Sequence, residues 1–138
     1  MKKLINTSFI YLILALAAGV FYREFTKFNG FIGDTTLSVL HTHLLILGMF
    51  FFLVYALFTK AYPQLSDSPK TKKFYIGYNV SVFFFTVTLL VRGIVQVLNV
   101  ELSSGANAAI SGIAGISHIL LTISLVYFFT ILKKVVKD

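Results

Sequence analysis

Four long apolar stretches, separated by shorter polar ones, dominate the pattern along the chain. They cover about Leu4–Tyr22, Leu37–Thr59, Phe74–Leu98 and Ala108–Leu132. Each is about 20 residues long, the length at which an α-helix crosses the ~30 Å hydrocarbon core of a bilayer. The connecting segments YPQLSDSPK and NVELSSGANAA carry the proline, glycine and polar residues that end helices. The pattern predicts one all-α domain over residues 1–138, an integral membrane antiparallel four-helix bundle.

The composition supports a membrane protein and narrows its chemistry. Hydrophobic residues make up 57% of the 138 residues and charged residues only 12%, too much apolar side chain for a small water-soluble core. The chain has no cysteine, which excludes disulfides, thiolate metal sites and iron–sulfur clusters. The lysines lie beside apolar spans, which is typical of membrane orientation. We therefore expect the lipid bilayer as a partner and no nucleic acid.

The basic residues lie mostly on one side of a four-span arrangement. Only Arg23 and Lys27 lie on the other side, and Arg92 lies within the third span. The positive-inside rule then predicts cytoplasmic N- and C-termini, in the plasma membrane of a bacterium. The segment MKKLINTSFIYLILALAAG also has the pattern of a secretory signal, but it is long for one, and we favour an uncleaved first helix. The lysines on the predicted cytoplasmic side are Lys2, Lys3, Lys60, Lys70, Lys72, Lys73, Lys133, Lys134 and Lys137.

Strongly polar side chains within the spans gather toward the opposite, outer side. At 1.5 Å per residue, His43 and Arg92 lie ~9 Å below the outer surface and His118 ~15 Å below it, with Gln96 one turn above Arg92. Polar groups inside a membrane are costly, so their common depth predicts one buried site. His41 and His43 are ~200° apart around a helix and must face different partners.

Haem fits these residue types better than a bare metal ion does. A zinc site needs three or four converging ligands, and no span contains Asp, Glu or Cys. Haem needs one or two axial histidines, an apolar slot, and cationic or hydrogen-bonding groups for its propionates. Taken singly, each histidine could be hydrogen-bonded to a neighbouring helix, and the glycines could be ordinary helix-packing positions. The candidate ligands are His41, His43 and His118, and the other candidate haem contacts are Arg92, Gln96, Arg23, Gly48 and Gly115.

Two resemblances strengthen the haem interpretation. HTHLLILGM resembles the H-x-H signature of the catalytic subunit of haem–copper oxidases, in which two histidines on opposite faces of one helix hold separate haems. This resemblance implies that His43 shares a haem with His118, and that His41 faces a second haem, a metal or a protomer contact. Three histidines cannot also supply a copper site. FYREF, HTHLLILGMFFFL, LVRGIVQ and the glycine-flanked His118 are similar to small four-span bacterial membrane proteins that sense or capture haem in stress defence.

We therefore expect a membrane protein resembling a b-type cytochrome, with one or two haem b groups per chain and a homodimeric assembly. It would capture haem or transfer electrons, and a quinol or another redox partner stays open. We favour a non-enzymatic role; if the chain is an enzyme, it is an electron-transfer oxidoreductase. The alternative is a small four-helix transporter whose His and Arg side chains form a polar substrate site.

Overall fold

The computed structural model describes residues 1–136; Lys137, which the charge pattern assigns to the lysine-rich side, lies outside the described residues. Helix accounts for 86% of the chain, and the described residues contain no strand, which confirms the all-α class. A short helix, α3, was not predicted, and it lies in the proline-containing connection. The helices are α1 (Lys2–Phe28), α2 (Leu37–Ala61), α3 (Gln64–Asp67), α4 (Pro69–Val97) and α5 (Ser104–Val135).

The four long helices, α1, α2, α4 and α5, are each long and apolar enough to cross a membrane. These helices suggest a multi-pass membrane protein, and their number agrees with the four predicted apolar helices. The helices extend beyond the apolar stretches that predicted them. Pro69 begins α4 as its first helical residue, and the Ser103 side chain accepts a hydrogen bond from the Ala106 amide at the start of α5. Hydropathy alone does not detect these polar first turns.

Two of the long helices are followed by a residue in the left-handed backbone conformation, where the chain reverses direction. Gly30 follows α1 with φ +57°, and Asn99 follows α4 with φ +50°. In each turn the next amide bonds back to a carbonyl of the last helical turn, from Phe31 to Thr26 and, after Asn99, from Val100 to Val95. Glycine and asparagine tolerate this conformation better than other residues, so the sequence favours both turns.

Helices α1 and α2 pack against each other in opposite directions. Gly48 of α2 lies directly against the ring of Tyr11, and His41 of α2 lies against Gly19 of α1. A side chain at Gly48 would overlap the Tyr11 ring, so the absence of a Cβ lets these two helices approach closely.

Helix α4 packs beside α2, and hydrogen bonds join the start of α2 to α4. The Thr36 amide donates a 2.8 Å hydrogen bond to Gln96 Oε1, and the Thr36 hydroxyl donates one of 2.7 Å to the Leu89 carbonyl. Leu37 is fully buried against Gly93. The first turn of α2 therefore has a defined position on α4.

Helix α5 packs mainly along α4, in the opposite direction. Ser81 of α4 and Ser124 of α5 share a 3.0 Å hydrogen bond. At one end, Phe128 of α5 also packs on Phe51 of α2, with ring centroids 5.1 Å apart. That contact belongs to a packed aromatic cluster, which contains Phe51, Phe52, Tyr55, Phe74, Tyr78 and Phe128.

The charged residues distinguish the two ends of the molecule. All described lysines except Lys27 lie where α1 and α4 begin and where α2 and α5 end, and we call this the lysine-rich end. The other end, where α2 and α5 begin, we call the histidine end because it carries all three histidines. The positive-inside rule predicts that the lysine-rich end is cytoplasmic.

Candidate functional site

Two imidazoles at the histidine end are held in the same way. His43 Nδ1 lies 2.7 Å from the Val39 carbonyl oxygen, and His118 Nδ1 lies 2.8 Å from that of Ala114. Both contacts join residues four apart on one helix. A carbonyl only accepts, so in the neutral ring the proton is on Nδ1 and Nε2 keeps its lone pair. This is the arrangement in which a histidine is oriented to bind a metal through Nε2.

Phe85 of α4 lies against both of these imidazoles. Its ring centroid is 5.1 Å from that of His43 and 4.6 Å from that of His118. The two imidazole centroids are therefore at most about 10 Å apart, although His43 is on α2 and His118 on α5. With metal–nitrogen bonds of about 2.0–2.1 Å, two imidazoles on opposite sides of one iron have centroids roughly 6 Å apart. Both histidines therefore contact the same side chain of α4, and a shared haem stays a prediction.

The surroundings of the two histidines are apolar and open on one side. A cavity of about 290 Å³ lies beside His43 and is lined also by Thr42, Ile46 and Leu47. His118 is exposed on the surface of α5, and nothing lies within 4 Å of the position that a Cβ on Gly115 would occupy. Both imidazoles therefore border space that side chains of the described residues leave unfilled.

The helix that carries His43 changes its hydrogen-bonding pattern immediately after that residue. Residues Leu44–Phe50 form a π-helix within α2. The Tyr78 hydroxyl donates to the Leu47 carbonyl at 2.8 Å, and the Ser8 hydroxyl donates to the Met49 carbonyl at 2.7 Å. Short π-helical segments are rare and frequently occur at functional sites. These two hydrogen bonds join the π-helical segment of α2 to α4 and α1, within two turns of His43.

Arg92 lies two turns from Phe85 on α4, toward the C-terminal end of that helix. Its guanidinium donates 2.7 Å hydrogen bonds to Asn107 Oδ1 and to Ser111 Oγ, both on α5. A polar cleft of about 520 Å³ opens beside it at the surface, lined also by Asp34. The cation therefore connects α4 to α5, two turns beyond Phe85 and on the side of α5 that carries Ser111 and His118.

The other predicted site residues have different surroundings. Gln96 Oε1 accepts from the Thr36 amide, so this side chain holds the start of α2. The Arg23 side chain is 80% exposed, and its Nε lies 3.9 Å from a Glu24 carboxylate oxygen. Gly48 faces Tyr11 on α1, away from the pair of His43 and His118.

His41 is separate from the other two histidines, as the helical spacing predicts. Its ring lies against Gly19 of α1, on a different face of α2 from His43. His41 Nδ1 is buried and has no hydrogen-bond partner among the described residues. A second haem, a metal or a protomer contact at His41 stays a prediction.

Sequence reasoning missed two members of this site. Phe85 is absent from the predicted site residues, although it is seven residues from Arg92 and thus on the same face of α4. Asn107, the partner of Arg92, lies in a segment that was taken for a loop but forms the first turn of α5. The spacing of seven could have indicated Phe85; nothing in the sequence indicates the Asn107 contact.

The described residues do not form a cluster of ligands for a bare metal ion. Within residues 1–136, no group of three or more His, Cys, Asp or Glu side chains converges as an ion site would require. Two imidazoles oriented by Nδ1 hydrogen bonds, apolar walls and one guanidinium toward the surface match the groups that hold a haem.

The profile of one protein family matches nearly the whole chain. Residues 1–135 match the profile of the family described as "Protein of unknown function (DUF2871)". The chain belongs to the DUF2871 family. No curated protein and no solved structure matches it significantly. The description of the DUF2871 family states no activity, so the function must be argued from the site itself.

Proposed function

We propose that this protein is a haem-binding integral membrane protein with one haem b held between His43 and His118. The observation that supports the proposal is the pair of imidazoles that both contact Phe85, each oriented by a hydrogen bond at Nδ1. In a membrane their Nε2 atoms would otherwise face hydrocarbon, where an unsatisfied polar group costs several kcal/mol. An iron that accepts both lone pairs removes this cost.

The residues of the chain have distinct roles in this proposal. His43 and His118 would hold the iron, and the Val39 and Ala114 carbonyls orient their rings. Arg92 faces the side from which negatively charged propionates would emerge, and its charge would stabilise them. When bound, the haem supplies a one-electron iron couple. A six-coordinate site suits haem capture or electron transfer rather than chemistry at an open iron.

The wider proposal includes the membrane arrangement. We infer an antiparallel four-helix bundle in a bacterial plasma membrane, with both termini cytoplasmic, because the lysines gather at one end. A homodimer is part of the same proposal. The open face of α5 with Gly112 and Gly115 allows another helix to approach closely.

The transporter alternative is less well supported. The packed aromatic cluster around Phe51 and Tyr78 lies between the polar groups at the histidine end and the lysine-rich end. A substrate path across the membrane would have to pass through these rings. A transporter would also have no reason to absorb visible light, which separates the two functions experimentally.

The deciding experiment is a visible spectrum of the detergent-purified protein, oxidised and dithionite-reduced, with the haem-to-protein ratio. We expect a six-coordinate spectrum and one haem per chain. His43→Ala and His118→Ala should each lose the haem or become five-coordinate. His41→Ala is the matched control, because it removes the same side chain from the other face of α2, and it should keep the six-coordinate spectrum.

Three outcomes would contradict the proposal. A protein that stays colourless after haem is added does not bind haem at this site. Haem that remains six-coordinate in both His43→Ala and His118→Ala has other ligands. Loss of haem in His41→Ala alone would show that the haem binds on the face of α2 that contacts α1.

A further inference from the structure

The lysine-rich end contains a cleft that the haem proposal does not use. It has a volume of about 170 Å³ and lies among the first turns of α1 and α4, the end of α2 and helix α3. Its polar lining includes Lys3, Ser66, Thr71 and Lys72, and its apolar lining includes Leu4. Two of the described lining residues, Lys3 and Lys72, are basic, and none of the described lining residues is acidic.

Helices α1 and α4 begin at this cleft, and no acidic residue in their first turns offsets the partial positive charge of the helix starts. The first turns of α1 and α4 contain no acidic residue and no side-chain cap. Instead, they carry lysines, Lys3 in α1 and Lys72 in α4. The amides at the start of a helix are unpaired donors and carry a partial positive charge, which lysines there oppose. An anion between the two helix starts would relieve this repulsion.

One buried side chain also lacks a partner in the cleft. Thr71 is only 7% exposed, yet its hydroxyl has no hydrogen-bond partner among the described residues. The Tyr55 hydroxyl also lines the cleft and interacts with Thr71, although the two do not form a hydrogen bond of ordinary geometry. Because a buried hydroxyl is normally satisfied, the Thr71 hydroxyl is available to a ligand atom in the cleft.

The position of the cleft also suits an anion at a membrane surface. Lys3 directly precedes the apolar stretch that begins at Leu4, and Lys72 lies two residues before the one that begins at Phe74, which is the depth of lipid headgroups. Lys3 Nζ lies 3.9 Å above the Tyr75 ring centroid, and this cation–π contact holds the ammonium group at the cleft. Clefts of this kind between membrane helices bind phosphate-containing headgroups.

We propose that this cleft binds one phosphate group, carried by an anionic membrane phospholipid or free in solution. Lys3 and Lys72 supply charge, the Thr71 hydroxyl donates a hydrogen bond, and the first-turn amides of α4 complete the site. This proposal is independent of haem, since the cleft and the histidine pair lie at opposite ends of the molecule.

The test uses the full-length protein, delipidated in detergent, and measures binding by native mass spectrometry. In the lipid arm the probe is phosphatidylglycerol, with phosphatidylcholine of the same chains as the neutral reference. In the phosphate arm, inorganic phosphate replaces chloride at constant ionic strength, and the midpoint temperature of thermal unfolding is measured. Thr71→Val and Lys72→Gln are the test variants, and Lys73→Gln is the control because Lys73 is exposed and does not line the cleft.

We expect one phosphatidylglycerol to bind in preference to phosphatidylcholine, and Thr71→Val and Lys72→Gln to weaken binding by about ten-fold each. Lys73→Gln should bind normally. If only inorganic phosphate raises the midpoint, with the same dependence on the variants, the ligand is free phosphate. If neither probe binds saturably, or if Lys73→Gln weakens binding as much as Lys72→Gln, the cleft is not a phosphate site. Thr71→Val keeps the shape of the side chain, so its loss of binding would not reflect misfolding.

Discussion

Replacing Gly93 by alanine tests how closely α2 packs on α4. A Cβ at this position would lie 2.5 Å from Leu37 Cγ and 2.7 Å from the Leu37 backbone nitrogen. Leu37 is fully buried, and the neighbouring Thr35 hydroxyl bonds to the Gly93 carbonyl at 3.1 Å. The first turn of α2 must therefore move away as a unit, because a backbone atom cannot rotate out of the contact.

The expected cost is that of an overpacked core. Inserting a methyl group that forces a backbone shift costs about 1–3 kcal/mol. Against this, alanine is up to about 1 kcal/mol more favourable than glycine within a helix. Gly77 is the matched control because it lies on the same helix and has nothing within 4 Å of its virtual Cβ. The difference between Gly93→Ala and Gly77→Ala isolates the steric cost.

The assay is thermal unfolding of the haem-free protein in detergent, followed by helical circular dichroism at one scan rate. We expect Gly93→Ala to melt roughly 3–10 °C below Gly77→Ala, given a cost of about 1–3 kcal/mol in a chain of this size. Gly77→Ala should melt at or slightly above the parent protein. Equal midpoints for the two variants would refute the close contact between Leu37 and α4, and with it the position of α2 that brings His43 to Phe85.

Three further predictions concern other contacts. Gly48→Ala should lower the melting midpoint in the same assay, because the methyl group overlaps the Tyr11 ring, whereas Gly77→Ala should not; equal effects would argue against close packing of α1 on α2. Arg92→Leu should weaken haem retention less than replacement of His43 or His118 does. A haem-to-protein ratio equal to that of the parent protein would mean that the propionates do not lie near Arg92. Tyr11→Phe removes a 3.0 Å hydrogen bond to Asn79 and should cost about 0.5–1.5 kcal/mol of unfolding free energy; an unchanged midpoint would mean that this bond contributes nothing to stability.

The sequence by itself determined the number of long helices and where the polar residues fall along them. Each span had to form its own backbone hydrogen bonds and cross about 30 Å of hydrocarbon, so apolar length was enough to predict it. Helical periodicity also placed His41 and His43 on different faces of α2, and the contacts with Gly19 and Phe85 confirm this. These properties depend only on local geometry, which a single sequence contains.

Only the tertiary structure decided which polar groups meet. Gln96 was predicted at the cofactor, yet its side-chain oxygen bonds to the Thr36 amide, and Arg92 bonds to Asn107 and Ser111 on another helix. The π-helix after His43 also escaped prediction, since apolar residues such as these form α- and π-turns alike. Such features depend on the rotation and height of one helix against another. Side-chain packing across the interface sets these two quantities, and no periodicity within a single helix specifies them.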